Sequence, residues 1–150
     1  MNDLPTIHAS AVLAGATAVL IRGPSGSGKS RLAWDLIQAA EQGTLPFARL
    51  VGDDRVLVEA HHGRLLVRPA PLLAGLVEVH GLGIRRLAYE PLAVVGLIVD
   101  LGAPDSARMP DLSAQEMQLL SVAVPRLTAA SGMAALPLVL AFLRTRPGGD

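Results

Sequence analysis

The sequence contains no cysteine, few aromatic residues and no excess charge of either sign. Without cysteine, the chain can form neither a disulfide framework nor a thiolate metal site or nucleophile. The 13 basic and 13 acidic residues cancel, which removes the broad positive field that non-specific nucleic-acid binding requires. Because only 3% of the residues are aromatic, the core must be built from Leu, Val, Ile and Ala, which suits strands covered by helices.

A secretory signal and long hydrophobic runs are also absent. Residues 1–8 contain Asp3 and no basic segment before an apolar stretch, unlike a signal peptide. The most apolar runs, residues 11–21 and 92–101, are too short to cross a bilayer as helices. We therefore expect residues 1–150 to form one soluble, cytoplasmic domain, with a disordered tail at residues 146–150.

A P-loop motif is the most informative feature that is present. It consists of Gly23, Pro24, Ser25, Gly26, Ser27, Gly28, Lys29 and Ser30. Residues 12–15 and 18–21 predict a hairpin that ends at this motif, and the apolar spacing of residues 30–42 predicts a helix after it. Glycines let successive N–H groups point at phosphate oxygens, while Lys29 adds a positive charge and Ser30 offers a hydroxyl to Mg²⁺.

This context predicts binding of a nucleotide or polyphosphate, with phosphoryl transfer as the chemistry. The alternative is a Gly/Ser-rich turn that merely joins a strand to a helix, with Lys29 solvated at the helix start. A cation at a helix N-terminus opposes the helix dipole unless an anion lies between them. The motif and its flanking segments therefore favour anion binding.

Carboxylates occur at two further places that could belong to such a site. Asp53 and Asp54 follow residues 49–52, Arg-Leu-Val-Gly. Adjacent strand residues point in opposite directions, so the two carboxylates should have different partners. One could face a metal or act as a general base, although both could be turn residues. Glu78, between two valines, is costly to bury unless it is paired or metal-bound, but it could also point outward from an edge strand. His8, taken by itself, is most simply interpreted as a surface or capping residue.

The remaining segments complete the prediction of elements. Residues 56–59 and 65–68 predict a hairpin, residues 93–101 a buried strand, and residues 103–111 a loop. In the last third, residues 119–127 indicate a strand and residues 133–144 indicate a helix. Pro137 lies within this helix and should either kink it or delay its start.

Taken in order, these residues resemble the catalytic domain of bacterial HPr kinase/phosphorylase. The matches are His8, the P-loop, residues 50–54 and residues 77–84, whose sequence Val-Glu-Val-His-Gly-Leu-Gly-Ile is similar to the family signature Glu-Ile-Arg-Gly-Leu-Gly-Ile. Fainter similarity extends through residues 124–127 and 138–144. The resemblance implies an α/β fold, a P-loop nucleotide-binding domain of the HPr kinase/phosphoenolpyruvate-carboxykinase-like type, in which a mixed β-sheet is flanked by helices.

The resemblance also implies a function. Members of the family transfer a phosphoryl group from ATP, or in many cases pyrophosphate, to a serine of the carrier protein HPr, and can reverse the modification with inorganic phosphate. By position, Lys29 would grip phosphates, and Ser30 and Glu78 would serve Mg²⁺. Asp54 best matches the proton-transfer position, with Asp53 beside it and His8 orienting it. The implied partner is HPr, with no nucleic acid or membrane, and the implied assembly is a homo-hexamer.

The sequence departs from the family at several points. Arg108 is only a candidate for the family's catalytic arginine, since it could also be a solvated loop charge. Residues 128–132 replace a basic loop, which puts phosphorylase activity in doubt, and residues 44–48 look inserted. The N-terminal domain of full-length members is expected to be lacking. Two other functions stay open: a nucleotide-binding regulator that has lost transfer activity, and a small-molecule kinase on the same fold.

Overall fold

The computed structural model describes residues 5–102, 116–146 and 148. Within these residues the strands and helices follow one another in a simple order. The strands of the first half are β1 (Thr6–Ala14), β2 (Thr17–Arg22), β3 (Ala48–Gly52), β4 (Arg55–His61) and β5 (Arg64–Pro69). The later strands are β6 (Leu76–Val79), β7 (Gly83–Arg86), β8 (Ala93–Leu101), β9 (Glu116–Leu119) and β10 (Val122–Ala129). The helices are α1 (Lys29–Glu41), between β2 and β3, and α2 (Gly132–Arg144), after β10.

The main sheet is mixed, and its pairings close into a ring. β1 pairs along one edge with β2 and along the other with β4 at its start and β3 at its end. β4 pairs with β5, β5 pairs with β8, and β8 pairs with β2, which completes the ring. The β2–β8 and β8–β10 pairs are parallel, whereas the other pairs of the ring are antiparallel. Parallel strands place their carboxyl ends at one edge of the sheet, and the segment after β2 begins at that edge.

Strand alternation divides the core into two parts. Val19 and Ile21 of β2 face one hydrophobic cluster, which also contains the apolar faces of both helices. Ala18 and Leu20 face the other cluster, which contains side chains of the ring strands and of β3 and β10. Period-two alternation thus gives β2 two buried faces, which explains its continuous apolar sequence.

Most of the predicted elements are confirmed. The hairpin before the P-loop motif, the helix after it, the 56–68 hairpin and the buried strand 93–101 all form. The strand predicted for residues 119–127 is confirmed from Val122 onward as β10, but its predicted start is wrong, because a turn with Leu120 and Ser121 at positive φ divides β9 from β10. α2 begins at Gly132 with Pro137 inside it, so the proline does not delay its start. The loop at residues 103–111 lies outside the described residues.

The α/β class and the mixed sheet with helices are confirmed. Both helices pack against the same cluster, and strands β6 and β7 form a small separate hairpin. No helix in the described part of the chain is both long and apolar enough to cross a membrane.

Candidate active site

The P-loop motif connects the end of β2 to the first turn of α1. Gly26 and Gly28 have φ values of 82° and 98°, a left-handed conformation that side chains with a Cβ rarely adopt. The loop is closed by a hydrogen bond from the Ser27 N–H to the Pro24 carbonyl (3.1 Å). These glycines therefore give the segment the tight turn that the sequence predicts.

Lys29 folds back over this loop. Its Nζ donates to the carbonyl oxygens of Gly23 (2.7 Å) and Pro24 (3.1 Å). The ammonium group thus lies across the loop at the N-terminal end of α1. An anion bound there would meet both this charge and the positive end of the helix dipole.

Asp53 is buried below the loop and joins three elements. Its Oδ1 accepts hydrogen bonds from the hydroxyls of Ser10 on β1 and Ser30 on α1, each at 2.7 Å. Its Oδ2 accepts the backbone N–H of Glu78 at 3.1 Å. Because the Ser30 hydroxyl donates its proton to Asp53, the lone pairs of its oxygen stay available to a cation.

Asp54 has a different environment, although the two aspartates are turn residues between β3 and β4 and not neighbours within a strand. It is exposed and adopts a left-handed conformation with a φ of 68°, which aspartate tolerates better than most residues. Its carbonyl accepts the N–H of Ala9 (3.1 Å), which fixes its backbone beside β1. The side chain of Asp54 is therefore free to contact a ligand, whereas that of Asp53 is engaged.

One cavity brings the loop, Lys29 and Asp54 together. It measures about 750 Å³, within the range of small-molecule sites. Most of the P-loop motif lines it, together with side chains from β1, α1, the β3–β4 turn and β6. Outside the loop, the lining residues are His8, Arg31, Trp34, Asp54, Glu78, Val79 and His80.

The geometry at Glu78 corrects part of the sequence argument. Its side chain is exposed at the cavity wall, so the cost of burying its carboxylate does not arise, and the alternative of an outward-facing residue is right.

The oxygen donors of Glu78, Ser30 and Asp53 suit Mg²⁺ by type. Among the described residues no three acidic, histidine or cysteine side chains cluster closely enough to hold a metal ion alone. The residues present thus fit a magnesium ion that is held largely by phosphate and water.

Sequence reasoning missed two polar groups near this site. Ser10 is fully buried in β1 and hydrogen-bonds to Asp53; its signal was a hydroxyl inside an otherwise apolar strand. Asp100, near the end of β8, accepts bidentate hydrogen bonds from Arg22 (2.7 and 2.8 Å) and one from Arg126 (2.6 Å). Burial raises the pKa of Asp100, but the two arginines outweigh it and bring the pKa below its usual value. Arg108 lies outside the described residues.

Comparisons with known proteins show the family to which this chain belongs. The family model for the HPr serine kinase C-terminal domain matches residues 3–89. An HPr kinase/phosphorylase of Halalkalibacterium halodurans is 35% identical over 73% of this chain, and one of Geobacillus thermodenitrificans is 32% identical over 81%. These alignments cover 37% and 41% of the two relatives, so the chain spans about two fifths of their length.

A solved structure supports the fold. The HPr(Ser) kinase/phosphatase of Coxiella burnetii superposes with a TM-score of 0.73, over 93% of this chain and 94% of that one, at 23% sequence identity. The matched family segment includes His8, the P-loop motif, both aspartates and Glu78. The chain therefore belongs to the HPr serine kinase C-terminal domain family.

Proposed function

We propose that this chain is the catalytic unit of a protein serine kinase that transfers a phosphoryl group from ATP or pyrophosphate to an HPr-like carrier protein. The observation that supports this most is the common cavity, where the P-loop motif meets His8, Asp54 and Glu78. The relatives that resemble this chain are named HPr kinase/phosphorylase, and the proposal extends that activity to it.

Donor phosphates would be held by the loop. The backbone N–H groups of the P-loop motif and the dipole of α1 attract phosphate oxygens, and Lys29 would exchange its two carbonyl partners for them. A phosphate oxygen offers the ammonium group a full negative charge, whereas a carbonyl oxygen offers it only a dipole. Binding of the donor therefore offsets the loss of the lysine–carbonyl contacts.

Asp54 is proposed as the general base. A serine hydroxyl is a poor nucleophile, so a carboxylate has to accept its proton as the phosphoryl group is transferred. Asp54 is exposed at the cavity, whereas both oxygens of Asp53 already accept hydrogen bonds. His8 lines the same wall and would orient Asp54. In the reverse direction, the protonated Asp54 would return its proton to the leaving serine.

Asp53 is proposed to organise the metal side of the site. By accepting the Ser30 proton it turns the hydroxyl oxygen toward the cavity, and by accepting the Glu78 N–H it fixes β6 beside the loop. Mg²⁺, when bound, would neutralise charge that develops on the phosphates. Ser30 and Glu78 are the residues that would hold it.

The decisive experiment mixes the purified chain with Mg²⁺, ATP labelled on its γ-phosphate, and HPr. Label on the HPr serine is expected, and an HPr variant with that serine replaced by alanine is the matched control. Binding of ATP without transfer would contradict the proposal and favour a nucleotide-binding regulator. Parallel reactions with pyrophosphate as donor, and with phospho-HPr plus inorganic phosphate, test the second donor and the reverse reaction. Light scattering on the same sample tests the hexamer.

A further inference from the structure

The first turn of α2 lies against the P-loop motif more closely than any side chain would permit. An ideal Cβ on Gly132 would stand 2.3 Å from the Gly28 carbonyl oxygen and 3.2 Å from its Cα. These are backbone atoms, so they cannot rotate aside as the end of a side chain can. Position 132 therefore needs a glycine because the loop leaves no room for a side chain. Its backbone conformation is helical and would accept any residue.

A hydrogen bond joins the same two segments. The Gly132 N–H donates to the Ser27 carbonyl at 2.9 Å. Gly132 is the first residue of α2, where the N–H has no partner within the helix. Ser131 caps the same turn by accepting the Ala134 N–H (3.2 Å). The N–H of Gly132, which has no acceptor within α2, thus binds the P-loop motif instead.

This bond fixes the orientation of one peptide group in the loop. In a trans peptide the C=O of Ser27 and the N–H of Gly28 point in opposite directions. Since the carbonyl points toward α2, the Gly28 N–H points away from it. Gly28 lines the cavity, and Ser27 is the one member of the motif that does not. The Ser27 hydroxyl is buried and has no hydrogen-bond partner among the described residues, which places that side chain on the inner side of the loop.

We propose that Gly132 is a positioning residue that holds the Ser27–Gly28 peptide so that the Gly28 N–H faces the donor phosphate. This rests on the proposed function, because it takes phosphate binding at the P-loop as given. α2 is itself anchored, since Ala135 and Val139 are buried in the cluster that also contains α1. The loop is therefore braced by a helix from the far end of the chain.

The Gly132→Ala variant tests the proposal. The new Cβ forces α2 and Gly28 apart, so the Kd for pyrophosphate and for ATP should rise about tenfold, the effect of losing one well-placed hydrogen bond to a charged ligand. Overpacking against backbone atoms lowers stability, and the better helix propensity of Ala offsets only part of this cost, so Tm should fall together with the affinity. Met133→Ala, on the exposed side of the same turn, is the matched control and should leave both Kd values unchanged.

A purely structural role predicts a lower Tm with unchanged affinity of the folded protein, and that result would overturn the proposal. A second measurement uses the unaltered chain and does not depend on how the variant folds. The Gly132 amide should be protected from hydrogen exchange, and the Gly28 amide resonance should shift on addition of pyrophosphate. An unprotected Gly132 amide, or binding without a shift at Gly28, would overturn it. Absence of any pyrophosphate or ATP binding would instead refute the proposed function, while exchange at Gly132 still reports the contact.

Discussion

Replacement of Asp54 by asparagine should abolish phosphoryl transfer while leaving donor binding nearly intact. Asparagine has the same shape, and it tolerates the left-handed conformation (φ 68°) found at this position. Since Asp54 is exposed, the free energy of unfolding should change by less than about 0.5 kcal/mol. Loss of a general base lowers the rate about 10²- to 10⁴-fold, which corresponds to roughly 2.7–5.4 kcal/mol of transition-state stabilisation.

The neighbouring Asp53→Asn substitution should lower the stability of the protein as well as its activity. Oδ1 of Asp53 accepts two hydroxyl protons and Oδ2 accepts an N–H, so either orientation of an asparagine amide places its NH₂ group against a donor. The unfolding free energy should fall by about 1–3 kcal/mol. Affinity for Mg²⁺ and the donor should weaken as well, because either the Ser30 hydroxyl or the Glu78 N–H loses its acceptor.

The assay compares the two variants under identical conditions. Initial rates of HPr phosphorylation give transfer, titration calorimetry gives the Kd for ATP with Mg²⁺, and urea unfolding gives stability. The reasoning is refuted if Asp54→Asn weakens donor binding as much as it slows transfer. It is equally refuted if Asp53→Asn is as stable as the unaltered chain.

Three further predictions follow from the same structure. Ser10→Ala should destabilise the protein by about 1–2 kcal/mol, measured by urea unfolding, because Asp53 loses one buried hydrogen bond; no change would contradict the network. Arg22 and Arg126 hold the pKa of Asp100 below the usual range of an aspartate. The stability that this carboxylate contributes should therefore be complete above that usual range and be lost as pH falls through the lowered pKa, and thermal unfolding of Asp100→Asn should lack that loss. Trp34, the single tryptophan, lines the cavity, so its fluorescence should change when ATP binds, and a Lys29→Ala variant should respond only at much higher ATP concentrations.

Local sequence patterns predicted the elements around the site well. The hairpin of β1 and β2, the helix α1 and the strand β8 are each specified by short-range periodicity and by glycine positions, which depend only on neighbours in the chain. The division of residues 119–127 into β9 and β10 was missed, because neither Leu120 nor Ser121 is a usual residue for the left-handed turn that they form.

The carboxylates of the site show what the sequence predicts and what depends on the tertiary structure. The sequence led us to expect different partners for Asp53 and Asp54 from strand alternation, but the two residues form the turn between β3 and β4, with Asp54 in a left-handed conformation. Neither pattern could say which of them is buried. That depends on Ser10, Ser30 and the Glu78 N–H, which come from three separate elements. Glu78 was expected to carry a burial cost because its neighbours are valines, yet β6 belongs to a separate two-stranded hairpin with an exposed face.

The sequence by itself determined the glycine turn, its lysine and serine, and the order of the family motifs, because each is a local pattern of residue types. Tertiary structure alone decided that Gly132 contacts Gly28 and that Asp100 is enclosed by Arg22 and Arg126. Such contacts join residues that are far apart in the chain, so their distances are set by how strands pair and helices pack, and no local spacing encodes them.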